Sequence, residues 1–276
     1  MSSLIPYALS VVGAICYGAA TVLEQIGAKN EKHLKTINPL HLITLIKQGS
    51  YFLGLVLDLI GWVFFLFAVR SLPLFLVQSF IALSIVVSAL LDRYWLKHAV
   101  KKSEKVAIVF VVIGVTLLSV AAKPSSAIGT SNLFKLILII SPLVIAIIAA
   151  IFVRLKTTRV NSTMIALLAG LSFGGTSIVT RILNFSQLDK QINQMLLAIS
   201  LVIFGVLALV LLSIALQREK VNRVNSVVLA SEVIGPSLIG IIFLGDTVRN
   251  GLWLVMIAGL VLVLAGALAT SSESRK

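Results

Sequence analysis

Three carboxylates stand inside long apolar runs: Glu24, Asp58 and Glu232. A charge at mid-membrane costs about 2.5–3.5 kcal/mol on insertion scales. Each is therefore paired, faces a cavity or lies near an interface. At about 1.5 Å of rise per residue, Glu24 falls roughly 5 Å from the end of its run. By the same rise Asp58 and Glu232 fall about 10–12 Å in, a shared depth that a common ion or substrate site requires. Separate hydrogen-bonded niches, with Glu24 reaching the headgroups, are the alternative.

The neighbours of these acids add chemistry. Asn225, Glu232 and Pro236 recur at helical spacing and share a face. Pro236 frees the backbone carbonyl of Glu232, and a carboxylate beside a released carbonyl makes a cation or proton site; a simple kink is the other reading. Ser226 follows Asn225, and Gln78 with Ser79 occupies the matching place earlier in the chain. Asp58 and Trp62 are four apart, so an aromatic face lies beside a carboxylate, which suits an organic cation or simple packing. Arg70 and Arg181 end their apolar runs, where snorkelling to headgroups is expected.

The elements that position these residues are membrane spans. The 276 residues are 59% hydrophobic and 12% charged, with mean hydropathy +1.09. A soluble domain is about 45–50% apolar and about 25% charged, so this chain is not one. Nine spans are expected, near 5–27, 51–70, 73–92, 105–122, 133–153, 162–181, 195–216, 224–243 and 251–270. Pro73 suits the first turn of a helix, which makes spans two and three a tight hairpin. Residues 30–50 read as an interfacial segment, and 123–129 as the join between halves.

Lys and Arg are distributed unevenly. Of the 23, only Arg70, Lys123, Lys135, Arg181, Lys190 and Arg249 lie on one side of the expected membrane. The positive-inside rule then puts the N-terminus outside and the C-terminus in the cytoplasm. The net charge of +13 is spread over short breaks rather than gathered in a patch, which excludes a nucleic-acid partner. The start lacks the basic region of a signal peptide. One cysteine, Cys16, cannot form an intrachain disulfide. His33, His41 and His98 have no metal-ligand spacing, and phosphate-loop, GxSxG and HExxH motifs are missing, so no enzyme is expected.

The sequence also repeats. Phe173-Gly174-Gly175-Thr176-Ser177-Ile178-Val179 lies over Tyr17-Gly18-Ala19-Ala20-Thr21-Val22-Leu23, aromatic on aromatic and Gly on Gly. A first helix running inward and a sixth running outward make this an inverted repeat, the layout of alternating-access carriers. Residues 1–122 form a first transmembrane repeat of four helices. Residues 123–161 form a linker with an extra transmembrane helix, and 162–276 a second repeat of four. The fold class is an all-α polytopic membrane protein. Gly170 and Gly174 form a GxxxG whose default role is packing or a hinge.

Three stretches resemble the drug/metabolite transporter superfamily, most closely its NIPA-like magnesium transporter or EamA-like branch. They are Tyr17 to Gly27, Gly54 to Ala89, and Ser226 to Val248 with its Pro-containing helix and the acidic turn Gly245-Asp246. Where that branch usually carries lysines, this chain has Glu24 and Gln25. The resemblance implies a small-solute secondary transporter of the cell membrane, with a divalent-cation pathway as an alternative and a non-transporting scaffold as a third. Substrate or ion binding falls to Asp58, Glu232, Glu24, Gln78, Asn225, Ser226 and Trp62. If the ion is a metal, Asp58 and Glu232 hold it, since magnesium takes oxygen ligands. No resident cofactor is expected; Mg2+ or H+ would be cargo or coupling ion. The partners are the bilayer, a small-molecule or cation substrate and, as an option, a second copy of the chain.

Overall fold

The computed structural model describes residues 4–30, 47–95, 102–125, 129–188, 191–219 and 221–269, and it is helical almost throughout. The helices are α1 (Ile5–Asn30), α2 (Gly49–Ala68), α3 (Leu74–Ile81), α4 (Leu83–Trp95), α5 (Lys102–Ala121), α6 (Asn132–Arg154), α7 (Arg159–Ile182), α8 (Ile192–Arg218), α9 (Val221–Phe243) and α10 (Trp253–Ala269). Among the described residues, eight stretches are long and apolar enough to cross a membrane, with α3 and α4 counted as one of them. The ninth expected span, α10, is apolar but only 17 residues long. The expected interfacial segment at 30–50 lies mostly outside the described residues.

Local chemistry sets the helix ends. Ser131 and Thr158 cap α6 and α7 by accepting from the Phe134 and Asn161 amides, both at 3.2 Å. Pro73 is the N-cap of α3, one position before the first turn where the sequence put it. Within α6, Pro142 leaves the Leu138 carbonyl without its helical donor, and the Ser141 hydroxyl supplies one at 2.9 Å. In hydrocarbon such repair is required, because no water is there to do it.

Two strands that the sequence did not suggest lie where α5 ends and α10 approaches. β1 (Ala122–Lys123) pairs antiparallel with β2 (Thr247–Val248). The Arg249 amide donates to Ala121 at 2.8 Å and its side chain to Ala122 at 3.1 Å. The expected join at 123–129 therefore begins as a strand. It is stitched to the far part of the chain.

The ribbon marks one end of the bundle. The ends of α2, α7 and α9 and the start of α3 meet there through Arg181, Asp246 and Leu74. Phe134 at the start of α6 stacks on Phe243 at the end of α9, 5.3 Å apart. So α2, α5, α7 and α9 run towards the ribbon end. Helices α3, α6 and α10 start from it.

Glycines let the backbones close. Gly114 of α5 and Gly259 of α10 face each other, so a Cβ on either would stand 2.8–2.9 Å from the other's carbonyl oxygen. With Gly266 against the Ala107 carbonyl, this defines an antiparallel α5–α10 contact. Helices α1 and α2 pack likewise through Gly13, Gly61 and Gly54. Gly170 and Gly174 lie against Val228, Ser231 and Pro236 of α9, so their GxxxG is a packing face. Gly205 is different: a Cβ there would meet nothing within 4 Å. Since a helical glycine costs about 0.8–1 kcal/mol relative to alanine, Gly205→Ala is expected to raise the thermal midpoint slightly. A fall in that midpoint would show a close neighbour at this position.

The main core gathers residues from both parts of the chain. At its centre is α3, with Leu74 to Phe80 buried without a break. It touches α1, α5 and α9. Helix α6 packs on α7 and α8, which attaches it to the later helices.

Candidate functional site

Helices α1 and α2 bring two carboxylates together. Gly54 lacks a side chain, and Glu24 lies in the space: a Cβ at 54 would be 2.6 Å from Glu24 Cγ. Asp58 is one turn further along the same face of α2. The two acids are therefore neighbours across the α1–α2 contact. Neither carboxyl is in an ion pair with Lys, Arg or His among the described residues.

Glu232 sits on α9, within electrostatic reach of Tyr17 on α1, and Tyr17 is also in reach of Asp58. Tyr17 stacks on Phe65 of α2 at 5.4 Å with rings 14° apart. Tyr17 and Glu232 are each half-buried.

The structure thus sets Asp58 beside Glu24, and Glu232 on α9 within electrostatic reach of the same Tyr17. Among the described residues, no group of three or more His, Cys, Asp or Glu converges as a metal site would need. Pro236 leaves the Glu232 carbonyl without its helical donor. The next hydroxyl, Ser237, donates 2.5 Å to Val233 instead. That differs from α6, where the serine repairs the proline's gap.

The other sequence candidates are dispersed. Ser226 is buried and donates 3.1 Å to the Ala267 carbonyl on α10, so that hydroxyl joins two helices. Asn225 is exposed, and Trp62 is half-buried. Ser79 donates 2.6 Å to the Phe75 carbonyl. Gln78 is fully buried, and neither its amide nitrogen nor its oxygen has a hydrogen-bond partner among the described residues. An orphaned buried polar group costs about 1–3 kcal/mol, so this side chain is not explained by packing.

Arg181 corrects the snorkelling expectation. Its side chain is completely buried in an ion pair with Asp246. It also donates to the carbonyls of Val69 at 2.5 Å, of Leu72, and of Ser125 at 3.0 Å. Asp246 accepts from the Leu74 amide at 2.5 Å. Burial pushes the Asp246 carboxyl above the usual aspartate value, while Arg181 and the Leu74 N–H pull it down. Arg70 is also engaged, donating 3.0 Å to Leu183 with its guanidinium 4.7 Å from the Phe185 ring centre.

No family model, curated protein or solved structure matches this chain.

Proposed function

We propose that the chain is a secondary transporter of a small solute that works by alternating access between two inverted halves, as the resemblance to drug/metabolite transporters implies. The observation that carries this reading is the set of acids within the spans: Glu24 lies against Gly54, one turn from Asp58, and Glu232 stands on α9 within electrostatic reach of Tyr17. Intramembrane acids without cationic partners are costly. A proton or cation that enters and leaves the site accounts for them.

Helix directions support the inverted relation. In the α1–α5 group, α2 and α5 run towards the ribbon end and α3 runs away. In the later group α7 and α9 run towards it and α10 away, so third matches third and fourth matches fourth with opposite sense. Glycine positions agree: Gly18 packs on Val87 of α4, and Gly174 on Pro236 of α9.

The same reading takes the ribbon end as the outer face and the cell membrane as the location. Arg70, Arg181 and Arg249, three of the few cations on that side, are all committed to carbonyl or carboxylate partners. The orientation signal then rests on loops of the opposite side.

The test is ligand-dependent thermal stabilisation of the purified protein, followed by flux into vesicles. Magnesium, organic amines, amino acids and nucleosides serve as probes. A ligand at 100 times its Kd raises stability by about 2.7 kcal/mol. Asp58→Asn is expected to cut that shift and the flux at least tenfold, while Asn225→Ala leaves both near wild type. If neutralising Glu24, Asp58 and Glu232 together changes neither, the carrier reading fails in favour of a scaffold.

A further inference from the structure

The ribbon end holds a buried charge cluster that the carrier reading does not use. Arg181 comes from the end of α7, and Asp246 from the turn between α9 and β2. Together they grip the α2–α3 turn through the Val69 and Leu72 carbonyls and the Leu74 amide, and reach Ser125 just past β1. Four chain segments from early and late parts of the sequence meet at this one ion pair. Directly below it, one turn along α3, lies Gln78 with both amide atoms unpartnered. A group that can both donate and accept, but does neither, is complementary to something this arrangement shuts out.

We propose that Arg181 and Asp246 form the latch of a gate at the ribbon end, and that opening it admits water or a polar solute to the Gln78 amide. The latch suits the task because its hydrogen bonds span separate segments and are made to backbone groups in turns and at helix ends. Parting α7 from the α9–β2 turn breaks the ion pair. These four backbone groups can then be taken over by water. The same parting uncovers the first turn of α3, and Gln78 gains the partners it lacks. The purpose of the latch rests on the carrier reading; its existence does not.

Thiol accessibility tests it on the full chain in membranes. Cys16→Ser removes the one native thiol. Gln78→Cys then places a reporter under the latch, and Ile165→Cys a control on α7, where Ile165 is 0% exposed in a cluster with Ala149 of α6, Leu211 of α8 and Val224 of α9. The probe is a membrane-impermeant maleimide. Asp246→Asn is the opening variant, since an amide oxygen still accepts from Leu74 while the charge that holds Arg181 is gone. It is expected to accelerate labelling of the Gln78→Cys thiol at least tenfold and to leave the Ile165→Cys thiol unlabelled. Arg181→Lys is the second variant. It keeps the cation, gives up the forked contacts to the carbonyls, and is expected to accelerate labelling about threefold.

Unchanged labelling in both variants overturns the latch. Equal acceleration at both reporter sites also overturns it, because the chain has then loosened as a whole. Accelerated labelling in a protein that carries no probe into vesicles upholds the latch and removes the carrier reading. Unchanged labelling beside Asp58-dependent flux does the reverse.

Discussion

Arg181→Met is expected to destabilise the protein by about 3–5 kcal/mol, because it leaves the Asp246 carboxylate buried without its partner. At about 2–4 °C per kcal/mol for a chain of this size, the detergent melting midpoint should fall on the order of 10 °C. Asp246→Asn should be milder. While the gate is shut the amide still meets the Leu74 N–H and Arg181 still has the Val69, Leu72 and Ser125 carbonyls, so the loss is confined to the ionic hold that keeps it shut. The double variant Arg181→Met, Asp246→Leu should recover part of the loss, since removing both charges together avoids the orphan. Recovery stays partial because the Leu74 amide and the carbonyls lose their partners. Additive losses in the double variant would mean that the two residues do not interact.

The second large effect is steric. Gly170→Val is expected to prevent close packing of α7 on α9 and to cost about 3 kcal/mol, the upper part of the range for overpacking. A Cβ at 170 would collide with the Ser231 hydroxyl and the Val228 carbonyl. Ser231 already donates to that carbonyl at 3.0 Å, so the hydroxyl cannot swing away without loss. The carbonyl belongs to the α9 backbone and cannot swing at all. Yield of monodisperse protein and its melting midpoint measure the effect. A valine at 170 with wild-type melting would mean that α7 and α9 stand further apart than described here.

The helices were legible in the sequence because apolar runs of about 20 residues carry their own signal in a bilayer. Asp58 and Glu232 were legible for the converse reason, as acids within such runs. The partner of Asp58 was not. Glu24 reaches it because Gly54 leaves room on the facing helix, and that space depends on how α1 and α2 are registered. The Arg181–Asp246 pair was half visible. Two opposite charges lay at the same end of their helices, and Gly245-Asp246 stood out as a turn, with Gly245 at φ 72°. Joining them required the α9–β2 turn to fold back over α7, which hydrophobic patterning does not encode. Ser226 was legible as a polar residue within a span, but its bond to the Ala267 carbonyl depends on how α9 and α10 are registered.

The β1–β2 ribbon has a mechanical consequence. Helices α5 and α10 touch backbone to backbone at Gly114 and Gly259, and their adjoining segments are hydrogen-bonded at Ala122–Val248 and Lys123–Thr247. One rod held to another at mid-length and at one end can neither slide nor splay against it. These two helices therefore behave as a fixed axle between the early and late parts of the chain. Any movement that exposes Gln78 has to turn about that axle, so spin-label distances between α5 and α10 should stay constant while those between α2 and α7 lengthen.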